Sequence, residues 1–125
     1  MIQTGLVIYY LLSGDTTLTS YVDTNVFPII APEDTPYPFI IYERSTNPDY
    51  TRDGQGLWDT RVDVTVLAET YVETILISQQ VDSVLCSFSG ELFGMNIRDI
   101  RLIDVSEQYN TDVFLQRITF NIKSN

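Results

Sequence analysis

The sequence contains no histidine and only one cysteine, Cys86. Without histidine, nucleophilic catalysis through a Ser–His or Cys–His pair is excluded. A lone cysteine excludes an intrachain disulfide, and no Cys/His cluster exists for structural zinc. Cys86 falls at the end of an expected helix and reads as a small buried apolar residue. No base or cation lies near it in sequence to activate the thiol. Basic residues are scarce too, seven against seventeen acidic ones, for a net charge of −10. Such a chain repels phosphate backbones and anionic lipid at long range, so tight binding to nucleic acid or membrane is not expected. The carboxylates are scattered singly, so no acidic tail accounts for the charge. Apolar runs are short, and none approaches the ~20 residues needed to cross a bilayer. The opening segment lacks the basic region and cleavage site of a signal peptide, so the chain is expected to stay in the compartment where it is made. Gly54-Gln55-Gly56 is no phosphate loop, because it precedes a strand rather than a helix and no lysine follows.

What is present is ordinary globular composition, 44% hydrophobic and 19% charged over 125 residues. That length suits a single domain, residues 1–125, which holds a core without disulfide or metal. Ile2, Leu6, Tyr9 and Tyr10 recur at helical spacing, with Val7 and Leu11 widening the stripe, and Gly14 is a natural stop. Asp15 then opens a second short turn towards Tyr21. Val22, Val26, Ile29 and Ile30, broken by Pro28, read as an edge strand or irregular extended segment. Residues 31–38 form a proline-rich connector. Phe39 to Ser45 reads as a strand, and Thr46 to Gly56 as a long polar loop.

Trp58, Thr60, Val62, Val64, Val66 and Ala68 alternate with Asp59, Arg61, Asp63, Thr65 and Leu67, which predicts a half-buried strand with its valines inward. Thr70-Tyr71-Val72-Glu73 matches a capping box. The helix it opens has Val72, Ile75, Leu76, Gln79, Val81, Val84 and Leu85 as its apolar face, and is expected to end near Phe88 with Gly90 as its stop. Met95 to Val105 and Phe114 to Ile122 read as strands joined through Asn110-Thr111-Asp112 into an antiparallel hairpin. A slip in alternation between Ile97 and Ile100 predicts a bulge. The expected fold is α+β, a mostly antiparallel sheet of four or five strands packed against two helices.

Acid–base chemistry would draw on paired carboxylates, Asp59 with Asp63 or Asp99 with Asp104. The alternation puts Asp59 and Asp63 opposite the valines, towards solvent or a partner. Asp49 and Asp53 do not match the ligand series of a calcium loop. Fifteen aromatic residues are spread over every element, which points to core and interface packing rather than base stacking. Leu57, Leu67 and Leu115 fall on the faces opposite the cores of their strands, where a helix or a partner subunit is needed to cover them. Gln116 interrupts the apolar face of the closing strand and predicts incomplete burial there.

The layout has a further likeness. Leu12-Ser13-Gly14-Asp15 is followed by Asn25-Val26-Phe27-Pro28, Ala31-Pro32-Glu33, Tyr37-Pro38-Phe39-Ile40-Ile41-Tyr42, Arg61-Val62-Asp63-Val64 and the capped helix from Thr70. From Met1 to Lys123 this resembles the tail-completion, or tail-terminator, family of long-tailed bacteriophages and prophages. The resemblance implies a virion structural protein, made in the host bacterial cytoplasm, that caps the finished tail tube as a ring, usually six-fold. It implies a surface for the head-completion or connector protein, no cofactor and no catalysis. DNA would pass through without tight binding, which a surplus of carboxylates favours by repulsion. A ring needs contacts between different faces of neighbouring copies. Asp49, Tyr50, Arg52, Asp53, Leu57, Leu67 and Leu115 are the candidate interface, and the loop Thr46–Leu57 is expected to be disordered alone and to order on assembly. The alternatives are a minor tail or baseplate protein, or a small protein-binding module of prophage origin that uses an open sheet edge.

Overall fold

The computed structural model describes residues 3–44, the backbone of 51–52, and 58–124. Three helices, α1 (Thr4–Ser13), α2 (Thr16–Val22) and α3 (Tyr71–Cys86), lie on one face of a seven-stranded sheet. The strands are β1 (Val26–Pro28), β2 (Phe39–Arg44), β3 (Thr51–Arg52), β4 (Trp58–Ala68), β5 (Gly90–Leu92), β6 (Met95–Asn110) and β7 (Val113–Ser124). Their order is β1-β2-β4-β7-β6-β5, with β3 paired to the start of β4. Every pairing is antiparallel except β1 with β2.

The α+β class agrees with the sequence reading, but the element count does not. Three short pieces enlarge it. Asp15 is a true N-cap, its Oδ2 accepting from Leu18 N at 2.8 Å, so the second turn becomes the helix α2. Thr51 and Arg52, read as loop, pair with Asp59 and Trp58. Gly90, expected as a helix stop, instead begins β5 with φ of 139°. Ser87 closes α3. Strands of two or three residues carry too little alternation to be read from sequence.

The strong signals hold. Thr70 Oγ1 accepts from Glu73 N at 3.3 Å and donates to Glu73 Oε1 at 3.0 Å, starting α3 where the capping box put it. Gly14 ends α1, where a Cβ would stand 2.9 Å from the Tyr10 carbonyl oxygen. β4 and β7 pair along their whole length, Trp58 opposite Ser124 through to Ala68 opposite Phe114. Their even-numbered residues face the helices, and Val62, Val64, Val66, Ile118, Phe120 and Ile122 form the core with Ile40 from β2. Two register shifts interrupt β6, at Ile97/Asp99 and Leu102/Asp104. The first is the bulge the sequence predicted.

The helical faces differ from expectation. α1 buries Thr4, Val7, Ile8 and Leu12, whereas Leu6, Tyr9 and Tyr10 are exposed. α3 buries Thr74, Ile77, Ser78, Val81 and Leu85, whereas Val72, Leu76 and Gln79 are exposed. Both helices carry apolar residues around most of their circumference, so spacing alone did not select the buried face.

Candidate functional site

Among the described residues no group of three or more Cys, Asp or Glu side chains is placed to hold a metal ion. Asp49, Tyr50, Asp53 and Leu57 lie outside the described residues. So does the side chain of Arg52, and so does the expectation of an ordering loop. Among the described residues no helix is long and apolar enough to cross a membrane.

The sheet face opposite the helices carries the odd-numbered residues of β2, β4 and β7. Register arranges them in rows. Asp59, Lys123 and Asp99 stand side by side, then Arg61, Asn121 and Arg101, then Asp63, Thr119 and Asp104. Asp59 Oδ1 accepts from Asn121 Nδ2 at 3.0 Å and pairs with Lys123 Nζ at 3.3 Å. Asp63 Oδ1 accepts from Thr119 Oγ1 at 2.6 Å. Asp59 and Asp63 are thus tied into a cross-strand network on an open face, as the alternation predicted, whereas Asp99 pairs with Arg101 of its own strand at 3.2 Å and Asp104 accepts from the adjacent Val105 N at 3.0 Å. A concavity of about 650 Å³ opens over Arg61, Arg101 and Arg117. Four of the chain's seven cations stand on this face, while no Lys or Arg occurs in α1, α2 or α3. Charge is therefore balanced on the bare sheet and purely acidic on the helical layer.

At one end the mosaic gives way to apolar residues. Leu67 lies directly opposite Leu115 on one side and Phe39 on the other. Leu67 and Leu115 are half-buried, and no helix packs on them. These are the two sequence-predicted interface residues that the structure brings together. The β6–β7 hairpin projects at the same end. From Ile103 to Asn110 every residue of β6 is exposed, and β5 covers its outer edge only at Met95–Ile97. Among the described residues the rest of that edge has no neighbouring strand.

A polar latch joins this arm to α3. Gln116, expected to be incompletely buried, is in fact only 2% exposed, because its Nε2 donates to Glu107 Oε2 at 2.6 Å. The Tyr71 side chain of α3 stands beside the same carboxylate. Tyr71, Tyr109 and Phe114 gather beside it, with ring centroids 5.9 Å apart for Tyr71–Phe114 and 4.8 Å for Tyr109–Phe114. The Tyr71 side chain, then the hydrogen bond from Gln116, holds the Glu107 carboxyl below its ordinary value. A depressed folded pKa stabilises the fold above the unfolded value of about 4.3, and that contribution is lost as pH falls through the lower folded value. Amides of the arm are therefore expected to lose exchange protection as the solution is acidified below about pH 4, before the core does. Glu107→Gln should flatten that dependence. Equal loss in arm and core would contradict the latch.

Cys86 is exposed rather than buried, contrary to expectation. It caps no core position because Leu85 takes that place. Its thiol is nevertheless pushed up to about 11, by desolvation first and then by Asp82, whose Oδ1 accepts from Sγ at 3.1 Å. Alkylation by iodoacetamide near pH 8 is expected to run roughly a hundredfold slower than that of free cysteine. A rate close to free cysteine would contradict this environment.

The profile of the family described as tail completion protein gp17 matches residues 7–124. No curated protein matches the chain. Two of the solved structures that share its fold come from a virion and a bacteriophage. One is a chain in the virion of a native gene transfer agent particle, with a TM-score of 0.78 and 12% identity, covering 94% of this chain and 90% of that chain. The other is the gp17 protein of bacteriophage SPP1, with a TM-score of 0.60 and 20% identity, covering 97% of this chain and 89% of that chain.

Proposed function

The chain belongs to the tail completion protein gp17 family, and from that premise we propose that it is a virion structural protein that caps the tail tube as a ring and offers the interface to the head connector, without covalent chemistry. The observation that carries this reading is the family match over residues 7–124. The surface supports it physically. The half-buried pair Leu67 and Leu115, beside the buried Phe39, is suited to a protein partner, and the loop residues Asp49, Tyr50, Arg52, Asp53 and Leu57 are proposed to join it in the assembly. Six copies form the ring, with the tail tube protein on one side and the connector on the other. DNA crosses the ring unbound, because a net charge of −10 per copy opposes phosphate. Synthesis takes place in the host cytoplasm and the protein ends in the virion. Tails assembled without this protein are expected to carry tubes of uneven length, and adding the purified protein should restore one length. Tubes of normal, uniform length in its absence would contradict the role.

The uncovered edge of β6 favours a second reading, a minor tail or baseplate protein that accepts a partner strand. In that case the protein would be found away from the head-proximal tube end.

A further inference from the structure

We propose that the bare face of α1 in one copy is covered by the arm end of the next copy, so that these two patches are the complementary halves of the ring contact. The inference rests on the ring reading above and names the surfaces that would build it.

The first patch is set by composition. Residues 1–14 contain no charged side chain, the longest such stretch in a chain of net charge −10. α1 is apolar on both faces. One face packs into the core, and the other leaves Leu6 57%, Tyr9 45% and Tyr10 55% exposed. Phe93, 48% exposed, adds to it edge-on to Tyr10 at 6.0 Å. A helix apolar all round belongs in an interior. Here only half of that interior is supplied by the chain itself.

The second patch lies at the arm. Tyr71, Val72 and Leu76 on α3 are exposed, as are Val105 and Tyr109 on β6. The nearby carboxylates are occupied, Glu107 by Tyr71 and Gln116, and Asp112 by the Tyr109 hydroxyl at 3.0 Å. The half-buried pair Leu67 and Leu115 continues this patch around the sheet end, since Leu115 is adjacent to Phe114.

The two patches cannot cover each other within one copy. α1 sits by the Arg44/Val62 end of the sheet, and the arm stands beyond Ala68. Val62 and Ala68, six residues apart on β4, are separated by about 20 Å at ~3.4 Å per residue. Two different patches at opposite ends make a heterologous contact, the kind that closes into a ring or runs on as a filament. Like-charged copies approach most easily where charge is absent, and α1 is that place.

The test uses the full chain with Cys86→Ser as background. Tyr10→Cys combined with Tyr109→Cys, oxidised in the presence of purified tail tubes, is expected to give a covalent ladder up to the ring size. Each single-cysteine variant should give no ladder. A second variant, Leu6→Glu with Tyr10→Glu, should keep its monomer circular dichroism yet raise the concentration needed for assembly at least ~30-fold. Rings on tubes without the cross-link, or with Leu6→Glu/Tyr10→Glu assembling like the parent, would overturn this contact and leave the ring reading standing. A ladder without any rings would support the contact and overturn the ring. Neither ladder nor rings would overturn both.

Discussion

Replacing Phe120 with alanine is expected to cost about 3–5 kcal/mol, the usual range for deleting a buried aromatic ring. Phe120 is fully buried in β7, between Val62 of β4 and Leu102 of β6. It is the largest of the fully buried side chains, so the cavity it leaves is large and lined by strands that cannot close on it. Domains of this size are stable by only about 5–15 kcal/mol. The loss corresponds to a fall in Tm of about 10–20 °C, read by circular dichroism. Leu115→Ala on the opposite face of the same strand should move Tm by less than about 4 °C. Equal shifts for the two would mean that the helices do not define the buried face.

Asp15→Ala is expected to be the next most damaging change, at about 2–3 kcal/mol. One carboxylate oxygen does two jobs. Oδ2 accepts from Leu18 N at 2.8 Å, capping α2, and from Gln80 Nε2 at 2.9 Å, joining α2 to α3. Losing the cap costs about 1 kcal/mol, and losing a partly buried hydrogen bond to a charged group costs a similar amount or more. Asp15→Asn retains an acceptor and should recover most of the loss. Chemical denaturation of the two variants measures this. An alanine variant as stable as its asparagine counterpart would show that the cap contributes little.

How much of this was legible beforehand depended on how redundant each signal was. The strands β4 and β7 repeat a two-residue alternation over 11 and 12 residues, and their inner and outer faces could be assigned side chain by side chain. The start of α3 was legible because Thr70 and Glu73 satisfy each other locally. The inward faces of α1 and α3 were not. Leu6 and Ile8, or Leu76 and Ile77, are equally apolar, and only the sheet beneath decides which is covered. Gln116 misled for a related reason. Its partner Glu107 sits nine residues away across the hairpin, and no sequence pattern announces such a pair. Cys86 was misplaced by one position, since Leu85 took the inward slot.

The candidate surface was half visible. Leu67 and Leu115 could be named because they violate a polar face, and the register then set them side by side. The arm and the α1 patch went unseen, because an exposed tyrosine in a sequence looks like a buried one. Their separation to opposite ends of the sheet is a property of topology alone.

Charge tells a parallel story. A net charge of −10 was plain from composition, but its partition was not. The helical layer holds no cation, and the bare sheet balances its carboxylates with Arg61, Arg101, Arg117 and Lys123. Neither surface offers the continuous basic track that nucleic acid requires.

Electron microscopy of purified tail tubes mixed with this protein reaches the central claim most directly. A closed ring is expected at one end of each tube, with the channel open. Bare tube ends at saturating protein, or decoration along the tube wall, would contradict it.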